Sequence, residues 1–396
     1  MQYLILLTLL LAPTYALRFN FANLPLNLLM VWVFLVVLWL LADMAYKKRL
    51  GDFSRFVKAL DKKLLWLAGL FFLASAASLF INSFSIKKLG QFLVLFIEPM
   101  CLFFLLGYTF KTRPQTKKAW LIGAYLLLGL MGVWSIIQYW TLFSLPVEFW
   151  GNSVEPKRAL GFFGHPNFYA LFSAPLLAFL LPDLAKKLKA YKTEPLAPKF
   201  LLFWLLGLVG LGLSMSRAGW LGLGVALVVF VFLSGEKKFQ VGTFFAALIL
   251  LIGVAITPNL RYRVLLPFYG EKSAVSRISL WKTGVKAVKE SPVLGLGLNG
   301  FSNEWTRLNT DPNLDSHNFP HNIFLDFWLE TGLLGLVSFV GITTLALWHG
   351  FKNRASTISF GVALFLIALL SQGQIDNPYF KNDLALIFWV TLSLII

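Results

Sequence analysis

Apolar runs alternate with short polar breaks along almost the whole chain. Twelve runs stand out: 2–17, 26–43, 64–81, 90–110, 119–142, 166–183, 199–215, 217–233, 240–257, 321–346, 357–372 and 383–396. Most approach the roughly 20 residues that a helix needs to cross a bilayer. Lipid offers no partners for backbone N–H and C=O groups, so each run predicts a helix. The pattern predicts an all-α, polytopic membrane protein of about 12 transmembrane helices, with residues 1–396 as a single integral membrane domain. The first run, "YLILLTLLLAPTYAL", lacks the basic start of a signal peptide and reads as the first membrane helix. No internal repeat is visible.

Composition agrees: 58% of residues are hydrophobic and 13% charged, where a soluble domain carries roughly 25% charged residues. A net charge of +17 would suggest nucleic acid in a soluble protein. Here the basic residues fall in loops between apolar runs, which points to orientation in a membrane and to no nucleic-acid partner. The loops after the second, fourth, sixth, eighth and tenth runs carry 20 Lys+Arg, counting Lys199 at a run edge; the short loops after the first, third, fifth, seventh and eleventh carry 7, counting Arg217. The even loops and both termini are therefore predicted to be cytoplasmic and the odd loops outward-facing. The single cysteine, Cys101, lies inside an apolar run and excludes a disulfide framework within one chain.

One break is long. Residues 259–320 form a predicted outward loop of 62 residues between the ninth and tenth helices, and loops of that length are usually functional. Within it, an amphipathic helix is predicted near 276–290. Ile278, Trp281, Val285 and Val288 share one face and Lys282, Lys286 and Lys289 another, and Pro292 ends the pattern. Such a helix suits the outer membrane surface, its basic face meeting lipid headgroups or an anionic substrate.

Several motifs bear on chemistry. "GLGLNG" (Gly295–Gly300) matches a dinucleotide fingerprint but lacks the βαβ context, so its glycines are expected to serve a tight turn. "DSH" (Asp315–His317) is not a hydrolase triad, whose members are distant in sequence. His317 and His321 have the spacing of a zinc pair, but Pro320 biases residue 319 away from helix, so no metal site and no cofactor are assigned. The first outward loop, "RFNFANLP", carries no acid to hold a divalent metal. Glu98, Asp326 and Glu330 are acids inside apolar runs, where charges are functional candidates. Arg158, Arg217 and Arg277 all fall on the predicted outer side with the histidines. Arginine suits bidentate binding of a lipid-borne phosphate, although snorkelling at the interface explains any one of them as well.

Three stretches carry a resemblance: "SRAGW" (216–220), "SRISLWKTGVKAVKESPVLGLGLNGF" (276–301) and "HNIFLDFWLETGLLGL" (321–336), with "RALGFFGHPN" (158–167) as a fainter fourth. In this order and on this side, they resemble the O-antigen ligase family, which shares a signature domain with the O-antigen polymerases. The resemblance implies a bacterial inner-membrane glycosyltransferase with its active site facing the periplasm, inverting and metal-independent. It would pass a glycan from undecaprenyl diphosphate to the lipid A-core oligosaccharide of lipopolysaccharide. The family's spacing to Glu330 and Gly332 selects His321 over His317 as general base, a role that an ordinary histidine pKa near 6.5 suits. Arg217 and Arg277, with Arg158 as a third member, would hold the donor diphosphate. Asn322 would orient the histidine or bind sugar, and Asp376 and Tyr379 in "DNPYFKND" would line the acceptor side. His317 has no assigned role. An O-antigen polymerase, or an exporter that makes no bond, are the alternative readings.

Overall fold

The computed structural model describes residues 1–21, 24–151, 156–190, 195–235, 265, 272–308 and 317–396. The expected run 240–257 lies outside the described residues.

In chain order, the described helices are α1 (Gln2–Leu10), α2 (Leu28–Tyr46), α3 (Leu50–Lys58), α4 (Lys62–Ala77), α5 (Ile86–Thr112), α6 (Gln115–Thr141), α7 (Pro166–Lys189) and α8 (Ala197–Leu213). They continue as α9 (Arg217–Ser234), α10 (Lys272–Glu290), α11 (Phe301–Leu308), α12 (Ile323–Lys352), α13 (Thr357–Gln372) and α14 (Asn382–Ser393). Among the described residues, six of them (α2, α5, α6, α7, α9 and α12) are long and apolar enough to cross a membrane, and α8, α13 and α14 are shorter apolar helices. The protein is thus a helical membrane protein. One departure from all-α is a small antiparallel hairpin, β1 (Arg18–Phe21) with β2 (Leu24–Asn27), in the loop expected to be irregular. Another is that the first run holds a short α1 and a separate 3-10 turn over Ala12–Ala16, because Pro13 cannot continue a helix.

The chain forms two compact units. The first comprises Met1–Leu127, Leu280–Ala363 and Gly373–Ile396; the second comprises Leu128–Ser279 and Leu364–Gln372. In the first, α12 packs along α4 and α14 packs along α5. An aromatic nucleus fills the space between them, with Phe327 stacked on Phe339 at 4.0 Å and Phe71 edge-on to Trp389 at 5.5 Å. In the second, α7 packs between α8 and α9.

Prolines inside these helices free carbonyls, and side chains take them up. Pro99 cannot donate to Leu95 O; α5 widens into a π-type turn over Leu93–Ile97, and the Tyr379 hydroxyl donates to that carbonyl at 2.8 Å. Pro175 likewise frees Leu171 O in α7, which accepts from Gln372 Nε2 at 3.1 Å. In lipid, a carbonyl left without a donor costs several kcal/mol, so these side chains are what permit the proline kinks.

Candidate functional site

The N-terminus of α12 is built by Asn322. Its side chain accepts from the N–H groups of Phe324 (3.1 Å) and Leu325 (3.2 Å), capping the helix. Its Nδ2 donates to Gln374 O at 3.1 Å, and Ile323 N donates to Gly373 O at 2.7 Å. Together these bonds stitch the helix mouth to the 373–381 loop. Asn322, expected to orient the histidine or bind sugar, therefore acts as cap and stitch.

His321 sits immediately before this cap with φ +55°, a left-handed conformation uncommon for a non-glycine residue. The helix begins after His321, so the two histidines do not share a helical face. Instead their rings meet edge to face at 5.4 Å, and His317 also lies edge-on to the buried Trp305 at 6.1 Å. Among the described residues, no group of three or more His, Cys, Asp or Glu converges to hold a metal ion.

The stitched loop delivers Asp376. Its Oδ1 lies 2.9 Å from His321 Nδ1 and also accepts the Asn377 N–H at 2.9 Å. The Asp376 side chain is 3% exposed and that of His321 27%. A carboxylate only accepts, so this pairing places the proton on Nδ1 and leaves the Nε2 lone pair for another partner. Asp376, expected on the acceptor side, is a partner of the histidine. Tyr379, expected beside it, is fully buried; its hydroxyl donates to Leu95 O and accepts from Trp389 Nε1 at 3.0 Å. It belongs to the core and not to an acceptor surface. At the end of the same loop, Lys381 Nζ lies 2.5 Å from the Tyr15 hydroxyl and over its ring. Burial pushes this ammonium down to about 8, with Asp383 and Asp376 opposing the shift.

Below the mouth, α12 is broken. Gly332 has φ +72° and ψ −178°, a conformation essentially reserved for glycine. The freed backbone pairs with the turn that follows α10: Leu296 N donates to Leu329 O at 2.7 Å and Leu333 N to Val293 O at 2.9 Å. Asn299 N donates to Glu330 Oε2 at 2.6 Å. Gly295 has φ +68°, and a Cβ there would lie 2.4 Å from Trp328 O. "GLGLNG" is therefore a turn, as its glycines suggested, but one shaped to enter a helix break. Spacing alone did not reveal that Glu330 and Gly332 serve this joint. Asp326, one turn above Glu330, is fully buried.

The arginines lie in the second unit. Arg158 Nε donates to Ser214 O at 3.0 Å and Nη2 to Asn167 Oδ1 at 2.6 Å. Ala159 N donates to Leu213 O at 2.9 Å. His165 caps α7, its Nδ1 accepting from Asn167 N at 3.0 Å. Arg158 thus ties the segment before α7 to the turn between α8 and α9. Sequence spacing could not expose this, since Arg158 and Ser214 are 56 residues apart. Arg217 is the first residue of α9, half-buried at the positive end of an 18-residue helix. Arg277, half-buried on α10, donates to Ser273 Oγ at 2.5 Å.

The fold and this site define a polytopic helical membrane protein with a half-buried histidine paired to a buried aspartate at a helix mouth. Residues 201–340 match the O-antigen ligase family model, so the resemblance to that family is shown over this domain. The chain is 26% identical over 184 residues to an O-antigen ligase of Pseudomonas aeruginosa, covering 46% of this chain and 42% of the relative. It is 28% identical over 142 residues to the exopolysaccharide production protein ExoQ of Rhizobium meliloti, 32% of each chain. A putative polysaccharide ligase of Rickettsia conorii is 28% identical over 156 residues, 35% of this chain and 36% of the relative. The chain thus spans less than half the length of these relatives.

Proposed function

We propose that the protein is a glycosyltransferase of the bacterial inner membrane, with His321 as general base. Its donor is a glycan on undecaprenyl diphosphate and its acceptor is lipid A-core oligosaccharide. The observation that carries this reading is the His321–Asp376 pair at 2.9 Å, with His321 inside the family match. With Asp376 fixing Nδ1, Nε2 takes the proton from the acceptor hydroxyl. That oxygen attacks the anomeric carbon from the face opposite the diphosphate. The bond from that carbon to the diphosphate oxygen breaks, and the electron pair leaves with the diphosphate. Inversion follows from the single displacement.

Arg217 and Arg277 are assigned to the departing diphosphate, whose charge guanidinium groups neutralise without metal. Arg217 has the additional support of the α9 N-terminus, where anions are favoured. Arg158 is reassigned to support the turn before Arg217. The positive-inside count supports twelve spans with both termini cytoplasmic and the α12 mouth in the periplasm. Transfer measured with purified protein, lipid-linked donor and lipid A-core tests the reading. Loss of product in His321→Ala, with wild-type product in the presence of a chelator, is the expected result.

The likeness to a relative named for exopolysaccharide production favours a second reading, a polymerase that passes its chain to another lipid-linked repeat. A deletion strain separates the two. Lost ligation leaves polymer on the carrier lipid, and lost polymerisation leaves single-repeat caps on the core.

A further inference from the structure

The apolar face that the sequence suggests for α10 is divided, with Val288 buried in the core and Ile278 and Val285 exposed. Leu280, Thr283 and Ala287 of α10 point inward, against a core that includes Leu296, Trp305 and Leu329. Val285, from the expected apolar face, is 44% exposed instead. It lies on the same side as Lys282, Lys286 and Lys289, all exposed. The next turn continues the surface with Val293 and Leu294, 59% and 60% exposed. The nearby acid Glu290 does not neutralise the stripe, because it pairs with Arg307, which also takes Glu304.

Depth can be read from the packing. A Cβ at Gly284 would lie 3.3 Å from Pro320, 3.5 Å from Leu325 and 3.6 Å from Leu329. The middle of α10 is therefore level with the first two turns of α12, about 9 Å of rise. That is the boundary between headgroups and hydrocarbon at the end of a membrane helix. Trp328, at the same level, donates its indole N–H to Pro292 O at 2.7 Å, and tryptophan concentrates at this boundary.

We propose that this face of α10 is a docking surface for anionic phospholipid. Lys282, Lys286 and Lys289, spaced i, i+4, i+7, hold phosphate-bearing headgroups, while Val285, Val293 and Leu294 enter the hydrocarbon. Like charges one turn apart repel on a helix, and anionic headgroups offset that repulsion.

The test uses the intact 396-residue chain, in which Cys101 is the single cysteine. In a Cys101→Ala background, Val285→Cys is labelled with a fluorophore and reconstituted into vesicles. The vesicles contain equal fractions of brominated phosphatidylglycerol or brominated phosphatidylcholine. Quenching is expected to be at least about threefold stronger with phosphatidylglycerol. K282Q/K286Q/K289Q should remove that preference while quenching persists. A label at Leu334→Cys, on the exposed face of α12, should be quenched equally in both backgrounds and verifies the fold. Equal quenching by the two lipids, or a preference that survives the triple substitution, overturns the proposal. So does selective protection of the label by a polyprenyl phosphate when the two phospholipids quench alike, because the surface then belongs to the donor.

Discussion

At the residue scale, the proposed chemistry rests on one hydrogen bond. A general base contributes about 10²- to 10⁴-fold to transfer, so His321→Ala should lower kcat by that order. Asp376→Asn keeps the size but presents an amide, which can hold the imidazole in the wrong tautomer. It should lower kcat with KM little changed, and a steady-state comparison reads this directly. The pairing itself was not legible in sequence, since the two residues are 55 apart. Residue type and spacing pointed to His321, whereas Asp376 and Tyr379 differ in role only because the DNPY turn directs one outward to the histidine and the other into the core. Lys381 gives a pH prediction. Its folded pKa, pushed down to about 8, lies below its unfolded value near 10.4. The fold therefore bears the cost of a buried charge below pH 8, and stability rises as pH climbs from about 8 toward 10.4. Thermal unfolding in detergent should show a rising midpoint between pH 8 and 10, and Lys381→Met should flatten that rise.

At the element scale, the break in α12 is the feature that positions the rest. Gly332→Ala would put a methyl 2.6 Å from Val293 O in a conformation that alanine does not adopt, costing about 1–3 kcal/mol or more of stability. Glu330→Ala leaves the Asn299 N–H without its acceptor, a loss of about 1–3 kcal/mol. Glu330→Gln keeps an acceptor oxygen and should be milder. Denaturation of the purified protein orders the three variants. Helix boundaries were largely legible, because long apolar runs leave little choice in lipid: α2, α6, α7, α9 and α12 all fall within a few residues of their runs. The break was not, because a glycine inside an apolar run looks like any other until the backbone partners of its neighbours, Val293 and Leu296 in a distant turn, are known. Which residues of α10 meet the protein was not legible either, because periodicity locates an apolar stripe but not which neighbour covers it.

At the scale of the whole molecule, an apolar scaffold positions a few polar joints. Each stands where a proline, a glycine or a helix end interrupts the backbone, as at Leu95, Leu171, Gly332 and Asn322. The proposed activity rests on what those joints hold in place, and residues 201–340 match the O-antigen ligase family model. Removing one arginine assigned to the departing diphosphate should cost about 10²- to 10³-fold, so Arg217→Ala is expected to reduce transfer while the protein remains folded. The most direct test of the central claim is transfer of glycan from undecaprenyl diphosphate to lipid A-core by purified protein, comparing the wild type with His321→Ala under chelating conditions. The account predicts wild-type transfer without added metal and a loss of about 10²-fold or more in the variant. Transfer by His321→Ala at the wild-type rate would contradict it.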